Sequence, residues 1–144
     1  MFMGAYSHSI DAKGRIILPA DFRQELGLAF ITKGLDHCLF LYGQQAWEEL
    51  EAKLRALSLA KPEARALSRF FFAGARNLEC DKQGRFLVPA NLRVYAGLER
   101  KGDVVLAGAD DRIEVWNKEL WHTYCSEVEP DVTAMAASLS DFGI

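Results

Sequence analysis

The chain has 144 residues, half of them hydrophobic, and a formal net charge of −3. This length and composition suit one compact domain, or two small ones packed together, and exclude a chain that is disordered throughout. The acidic balance argues against a monomer that coats nucleic acid regardless of sequence, because such binding requires the neutralisation of many phosphates.

A repeated segment dominates the sequence. The stretch DAKGRIILPADFRQELGL (residues 11–28) aligns with DKQGRFLVPANLRVYAGL (residues 81–98), and eight of the eighteen positions are identical. Ordinary residue usage would give roughly one identity by chance. The similarity resumes with residues 33–47 and 107–121, after an insertion of four residues in the second copy. The sequence therefore predicts a duplicated structural unit.

Each copy predicts a strand, a charged loop, a second strand, a short helix and a hairpin. The glycine between charged residues suits a turn that needs positive φ, and the following proline and second glycine are typical of the start and end of a helix. The predicted elements of the first copy are a strand over 6–10, the loop 11–15, a strand over 16–18, a helix over 19–26 and a hairpin of 30–33 with 38–42. In the second copy the corresponding predictions are the loop 81–85, a strand over 86–88, a helix over 89–96 and a hairpin of 104–107 with 112–116.

Helices are predicted between and after the copies. Apolar residues recur at three- and four-residue steps from Trp47 to Leu57, and Pro62 can open a second helix that continues to Gly74. Asn117 is a plausible N-cap for a helix over 118–129, followed by a partly helical or loose tail. The predicted organisation is a first repeat over 5–47, connecting helices over 48–75, a second repeat over 76–121, and a C-terminal helix and tail over 122–144.

No motif for catalysis, metal binding or membrane insertion is present in the sequence. It lacks a P-loop, a nucleophile elbow and an H-E-x-x-H motif, and its three histidines have no regular ligand spacing. Cys38, Cys80 and Cys125 are widely spaced, which favours buried free thiols in a reducing cytoplasm. No apolar run approaches the roughly 20 residues of a membrane span. We expect no cofactor, no metal and no small-molecule substrate.

The duplicated aspartates raise one enzymatic alternative. Two symmetry-related carboxylates could share a proton, as in aspartic proteases. Here, however, Asp11 and Asp81 are each followed four residues later by an arginine, and a neighbouring guanidinium lowers a carboxylate pKa and opposes proton sharing. We therefore predict a protein that is not an enzyme.

Alternatively, each aspartate orients its arginine. A guanidinium held by a carboxylate presents its remaining donors in fixed geometry, which suits phosphate or the guanine edge. Arg15 and Arg85 would then be paired contacts, with Lys13 and Lys82 adding charge for the DNA backbone. The competing interpretation is that both pairs simply tie their loops to the fold. The residues alone leave both open.

The start MFMGAYSHSIDAKGRIILPADFR and the second copy DKQGRFLVPANLR resemble the MraZ family of bacterial proteins, tandem relatives of the SpoVT–AbrB DNA-binding module. The resemblance covers roughly residues 1–130, and the order Gly-Arg-x-x-x-Pro-Ala-x-x-Arg recurs in both copies. It implies an α+β, mainly β fold: a pseudo-twofold, swapped-hairpin AbrB-like β-barrel built from two tandem repeats, with flanking helices.

The resemblance also implies a function. It predicts a cytoplasmic, nucleoid-associated transcription factor that forms a ring-like homo-oligomer and binds promoter direct repeats in double-stranded DNA, at the division and cell-wall gene cluster. By position, the DNA-binding residues would lie on the two charged loops and are Arg15, Arg85, Lys13, Lys82, Gly14 and Gly84. The carboxylates that orient the arginines would be Asp11 and Asp81. Gln83 stands where the first copy has Lys13, so the copies need not contact DNA equally. The alternative is an oligomeric scaffold or nucleoid-associated protein with incidental DNA affinity.

Overall fold

A computed structural model describes residues 1–143. The first repeat folds as two strands, a short helix and a hairpin, which are β1 (Ala5–Ile10), β2 (Arg15–Ile17), α1 (Ala20–Leu26), β3 (Ala29–Lys33) and β4 (Leu39–Gly43). Two connecting helices follow, α2 (Gln44–Arg55) and α3 (Pro62–Gly74). The second repeat has the same order, with β5 (Arg76–Leu78), β6 (Arg85–Leu87), α4 (Ala90–Tyr95), β7 (Gly102–Gly108) and β8 (Ile113–Asn117). The C-terminal helices are α5 (Lys118–Val128) and α6 (Val132–Ser138).

The two repeats exchange strands. β1 pairs antiparallel with β7 of the second repeat, and β5 of the second repeat pairs with β3 of the first. The equivalent strands β2 and β6 pair with each other, as β4 and β8 do. These pairings join eight strands in the order β5-β3-β4-β8-β7-β1-β2-β6. β5 and β6 are the two end strands of this order. An isolated bridge between Cys80, just after β5, and Phe86 of β6 links them, so the sheet nearly closes. The predicted pseudo-twofold, swapped-hairpin barrel is confirmed.

The barrel interior is filled equally by both repeats. Ile16 and Phe86 face each other across β2 and β6 and are 0% and 1% exposed. Phe22 of α1 and Leu92 of α4 are buried in the same cluster. Burying a large apolar side chain contributes about 1.5–3 kcal/mol, so each short helix is held mainly by packing rather than by its few internal hydrogen bonds.

A second apolar cluster lies beneath α2 and α3. Trp47 of α2 and Phe71 of α3 pack on the outer face of the hairpins, with Phe40 and Trp116 among their neighbours. The hydroxyl of Thr32, which is completely buried, donates a 2.7 Å hydrogen bond to the carbonyl oxygen of Phe71. The connecting helices are thereby fixed to the barrel at both apolar and polar contacts. Among the described residues, no helix is both long and apolar enough to cross a membrane.

The structure adjusts some details of the sequence prediction. β2 spans Arg15–Ile17, one residue earlier than the predicted 16–18, and the Leu18 amide continues the cross-repeat hydrogen bonding by donating to Gly84. Pro19 is the N-cap of α1 instead of lying inside the helix. The expectation of buried thiols is right for Cys38 and wrong for Cys80 and Cys125, which are partly exposed. The Asn117 cap is confirmed, since its side chain accepts a 3.0 Å hydrogen bond from the Leu120 amide.

Candidate nucleic-acid interface

The two charged loops have the same internal geometry. In the first, Asp11 Oδ1 accepts hydrogen bonds from the amides of Lys13 (3.0 Å) and Arg15 (2.9 Å), while Oδ2 accepts one from Arg15 Nε at 2.8 Å. The Gly14 amide donates to the Asp11 carbonyl oxygen at 3.0 Å. One carboxylate therefore closes the turn and holds the arginine that follows it.

The second loop repeats this arrangement. Asp81 Oδ1 accepts from the amides of Gln83 and Arg85, both at 2.9 Å, and Oδ2 accepts from Arg85 Nε at 2.8 Å. The replacement of lysine by Gln83 leaves the turn intact, because this bond uses the main-chain amide. The lysine of this loop is Lys82, two positions before Gly84, and its side chain is exposed.

These hydrogen bonds keep both aspartates ionised. The Arg15 amide, and then its side chain, lower the pKa of Asp11, and the Arg85 amide and side chain do the same for Asp81. A proton-sharing pair of acids requires the opposite, that one pKa be raised. Among residues 1–143, no group of three or more His, Cys, Asp or Glu side chains is arranged to hold a metal ion.

Each loop is also attached to the other repeat. The carbonyl oxygen of Gly14 accepts a 2.8 Å hydrogen bond from the Val88 amide, and that of Gly84 accepts a 2.9 Å bond from the Leu18 amide. The two loops therefore lie at opposite ends of the short β2–β6 ribbon, and the pseudo-twofold axis brings them to one region of the surface. Main-chain bonds of the glycines therefore attach the loops to the barrel, and whether the Asp–Arg pairs act as structural ties or as DNA contacts stays a prediction.

Two further arginines cross between the repeats. A Cβ atom built on Gly14 would lie only 2.7 to 2.9 Å from the guanidinium group of Arg93, which comes from α4. A Cβ atom on Gly84 would overlap the guanidinium of Arg23 from α1. Glycine is required at these two positions both for the positive φ angles, 85° and 79°, and for the space that the arginines occupy.

The sequence interpretation did not assign Arg23 and Arg93 to the site. Their signal was nevertheless present, since both are identical positions of the repeat, eight residues after Arg15 and Arg85. What it could not show is that each arginine reaches the loop of the opposite repeat, because that depends on the strand exchange. The Nε atom of Arg93 is buried without a hydrogen-bond partner among the described residues.

The combined surface is basic. Its outward-facing part is the β2–β6 ribbon, where Arg15 lies opposite Leu87 and Ile17 lies opposite Arg85. The side chains of Arg15 and Arg85 are 30% and 29% exposed, and their Nε atoms are engaged by the aspartates. The two loops and two helices together contribute six positive side chains and four negative ones, namely Lys13, Arg15, Arg23, Lys82, Arg85 and Arg93 against Asp11, Asp21, Glu25 and Asp81. We name the six basic residues, with Asp11, Asp81, Ile17 and Leu87, the ribbon face.

Such a surface can recognise phosphate or the edge of a base. An arginine whose Nε is fixed by a carboxylate keeps its terminal nitrogens for a second partner, and such donors bind phosphate oxygens or guanine O6 and N7. The sequence-predicted site residues are all brought together here: the structure gathers both loops, both glycines and both aspartates on one face.

Comparison with known proteins identifies the family. The family model described as "MraZ protein, putative antitoxin-like" matches residues 1–70 and again 71–142. A protein named "Transcriptional regulator MraZ" from Desulfitobacterium hafniense (strain DSM 10664 / DCB-2) is 55% identical over 145 aligned residues, covering all of both chains. Proteins of the same name from Moorella thermoacetica and Thermoanaerobacter sp. (strain X514) are 52% and 51% identical, again over the full length of both chains. The chain therefore belongs to the MraZ family, whose members named here are transcriptional regulators.

Proposed function

We propose that the protein is a sequence-specific, DNA-binding transcriptional regulator that reads promoter direct repeats with the ribbon face. Its target is the promoter of the division and cell-wall gene cluster, and the protein acts in the cytoplasm, in association with the nucleoid. The observation that carries the proposal is the matched pair of arginines, Arg15 and Arg85, each held through Nε by its own aspartate. Such preorganisation reduces the entropy lost when the arginine binds.

The proposed roles differ between the residues of the face. Arg15 and Arg85 contact base edges or phosphates in fixed geometry, and Asp11 and Asp81 orient them. Lys13 and Lys82 are exposed and supply mobile charge for the DNA backbone. Gly14 and Gly84 let the loops turn tightly enough for the crossing arginines Arg93 and Arg23 to lie against them.

A homo-oligomer, in the form of a ring, accounts for strong binding by an acidic chain. One ribbon face neutralises only a few phosphates, but several faces aligned on one DNA segment act together. Exposed apolar side chains on α6 and at its C-cap support self-association, since Val132, Met135 and Leu139 are 42 to 63% exposed. Residues 118–143 carry one basic and five acidic residues, whereas residues 48–76 carry six basic and four acidic residues. These complementary segments suit a head-to-tail contact between copies, which closes into a ring when the rotation permits.

The second candidate is an oligomeric scaffold, or a nucleoid-associated protein, with incidental DNA affinity. The observation that favours it is the cross-repeat attachment of the loops through Gly14 and Gly84, which gives both pentapeptides a structural role. The two candidates differ in what the arginine side chains are needed for: DNA affinity in the first, and assembly in the second.

Fluorescence anisotropy with DNA from upstream of the protein's own gene tests the proposal. The variant is Arg15→Ala/Arg85→Ala, and its matched control is Arg100→Ala/Lys101→Ala, which removes the same charge from exposed positions between α4 and β7, outside the ribbon face and both proposed contact segments. Each is measured against a shuffled duplex over a salt series, and oligomer size is determined in the same buffer.

We expect the wild type and the Arg100→Ala/Lys101→Ala control to bind the upstream duplex tightly, in a salt-dependent manner, and in preference to the shuffled one. The arginine variant should lose this binding at unchanged oligomer size. Equal affinity for both duplexes, or loss of assembly in the arginine variant, would favour the scaffold instead.

A further inference from the structure

The ribbon face carries two apolar side chains that the fold does not use. Ile17 and Leu87 are 48% and 60% exposed, in contrast to Ile16 and Phe86 beside them, which fill the barrel. Single exposed apolar residues are common on protein surfaces. These two, however, occupy equivalent positions of both repeats, and each lies directly opposite an arginine across the ribbon.

The pairing places apolar and cationic groups side by side. Ile17 is opposite Arg85, and Leu87 is opposite Arg15. Side chains that face each other across antiparallel strands are separated by about 4.5–5.5 Å at Cβ. Successive base pairs of duplex DNA are about 3.4 Å apart along the axis. Each Arg–apolar pair therefore has the dimensions to contact adjacent base pairs.

We propose that Ile17 and Leu87 contact the 5-methyl groups of thymines in the major groove, next to bases contacted by Arg85 and Arg15. The inference rests on the proposed function and extends it to sequence preference. A two-stranded β-ribbon fits the major groove, and only there does thymine present its methyl group. The arginines on the same ribbon make DNA, rather than another apolar protein surface, the occupant with complementary charge.

The chemistry predicts a recognition element in which thymine adjoins guanine. Arginine prefers the guanine edge, and an apolar side chain prefers the thymine methyl. Because the two Arg–apolar pairs are related by the pseudo-twofold axis, such a step should occur twice within the segment that one chain covers. Covering one methyl group should raise affinity by about fourfold.

Replacement of thymine by uracil tests this inference without altering the protein, because it removes only the methyl group. The probe is the duplex from upstream of the protein's own gene, substituted one thymine at a time. It is titrated with the wild type, with Ile17→Ala/Leu87→Ala, and with the control Leu28→Ala/Leu35→Ala. The control residues are 77% and 53% exposed and lie outside the ribbon and outside both proposed contact segments.

We expect wild type and control to lose about fourfold in affinity at each contacted thymine. The ribbon variant should bind the thymine and uracil duplexes equally, and about sixteenfold more weakly than the wild type binds the thymine duplex, because it has lost both methyl contacts. A wild type that binds the duplex but is indifferent to every uracil would overturn this inference and leave the proposed function standing. A ribbon variant that retains the full uracil effect, or changes only oligomer size, would also overturn it and indicate contact with a second copy. Failure of the wild type to bind the duplex at all would overturn both.

Discussion

Substitution of Gly14 by alanine separates the stability of the fold from the arrangement of the ribbon face. Gly14 has φ of 85°, and an L-residue in this left-handed region costs about 1–2 kcal/mol. The added Cβ would also lie 2.7 Å from Arg93 Nη1. That atom ends a flexible side chain whose Nε has no described partner, so the guanidinium can move at little cost. We expect the free energy of unfolding to fall by about 1–2 kcal/mol, mainly from backbone strain.

Gly97→Ala is the matched control. Gly97 also has positive φ, 70°, but the nearest atom to an added Cβ is Leu120 Cδ1 at an ordinary 3.5 Å. It should therefore lose a similar amount of stability, about 1–2 kcal/mol, without displacing Arg93. DNA affinity should distinguish the variants. Gly14→Ala should bind the upstream duplex about tenfold more weakly, because an arginine of the ribbon face has moved, whereas Gly97→Ala should bind like the wild type.

Urea denaturation measures the free energy of unfolding of each variant, and fluorescence anisotropy measures its DNA affinity. Arg93→Ala and the double variant Gly14→Ala/Arg93→Ala complete a cycle, in which the two single changes should not add in DNA affinity because they remove the same contact. Equal DNA affinities for Gly14→Ala and Gly97→Ala would refute the reasoning. A loss of stability in Gly14→Ala well above that in Gly97→Ala would also refute it, because it would show that the backbone moves to accommodate the added Cβ and the Arg93 side chain does not.

Three further predictions concern the core, the loops and the thiols. Thr32→Val removes the buried hydroxyl that donates to the Phe71 carbonyl oxygen, and should lower the free energy of unfolding by about 1–3 kcal/mol in urea denaturation, because that oxygen is left unpaired. The arginine amides and side chains hold the pKa values of Asp11 and Asp81 below the ordinary aspartate value of 3.8. The contribution of these carboxylates to stability should therefore be fully present above pH 3.8 and be lost as the pH falls through the lower folded-state pKa values. Carboxyl titration by NMR checks this, and an ordinary pKa at either aspartate would contradict it. Cys38 is completely buried, whereas Cys80 and Cys125 are partly exposed, so a thiol reagent should modify those two cysteines in the native protein and reach Cys38 only after unfolding, as mass spectrometry would show.

Local signals were sufficient for most of the secondary structure. The boundaries of α3 agree with the prediction from Pro62 to Gly74, and α5 begins after the predicted Asn117 cap. Both depend on contacts within a few residues, which the sequence displays directly. The one-residue shift of β2 depends on its pairing with β6 of the other repeat, which the sequence does not display.

The sequence by itself determined that the unit is duplicated, that each copy contains a tight charged turn, and that each turn pairs an aspartate with an arginine four residues later. These features are local, because a turn and its i,i+4 ion pair are closed by neighbouring residues. Only the tertiary structure decided which repeat completes which loop. The exchange of β1 and β5 places Arg93 over Gly14 and Arg23 over Gly84, and it leaves Ile17 and Leu87 facing outward beside the paired arginines. Contacts between residues about 60 to 80 positions apart arise from strand pairing and core burial. They cannot be predicted from the hydrophobic pattern of a single repeat.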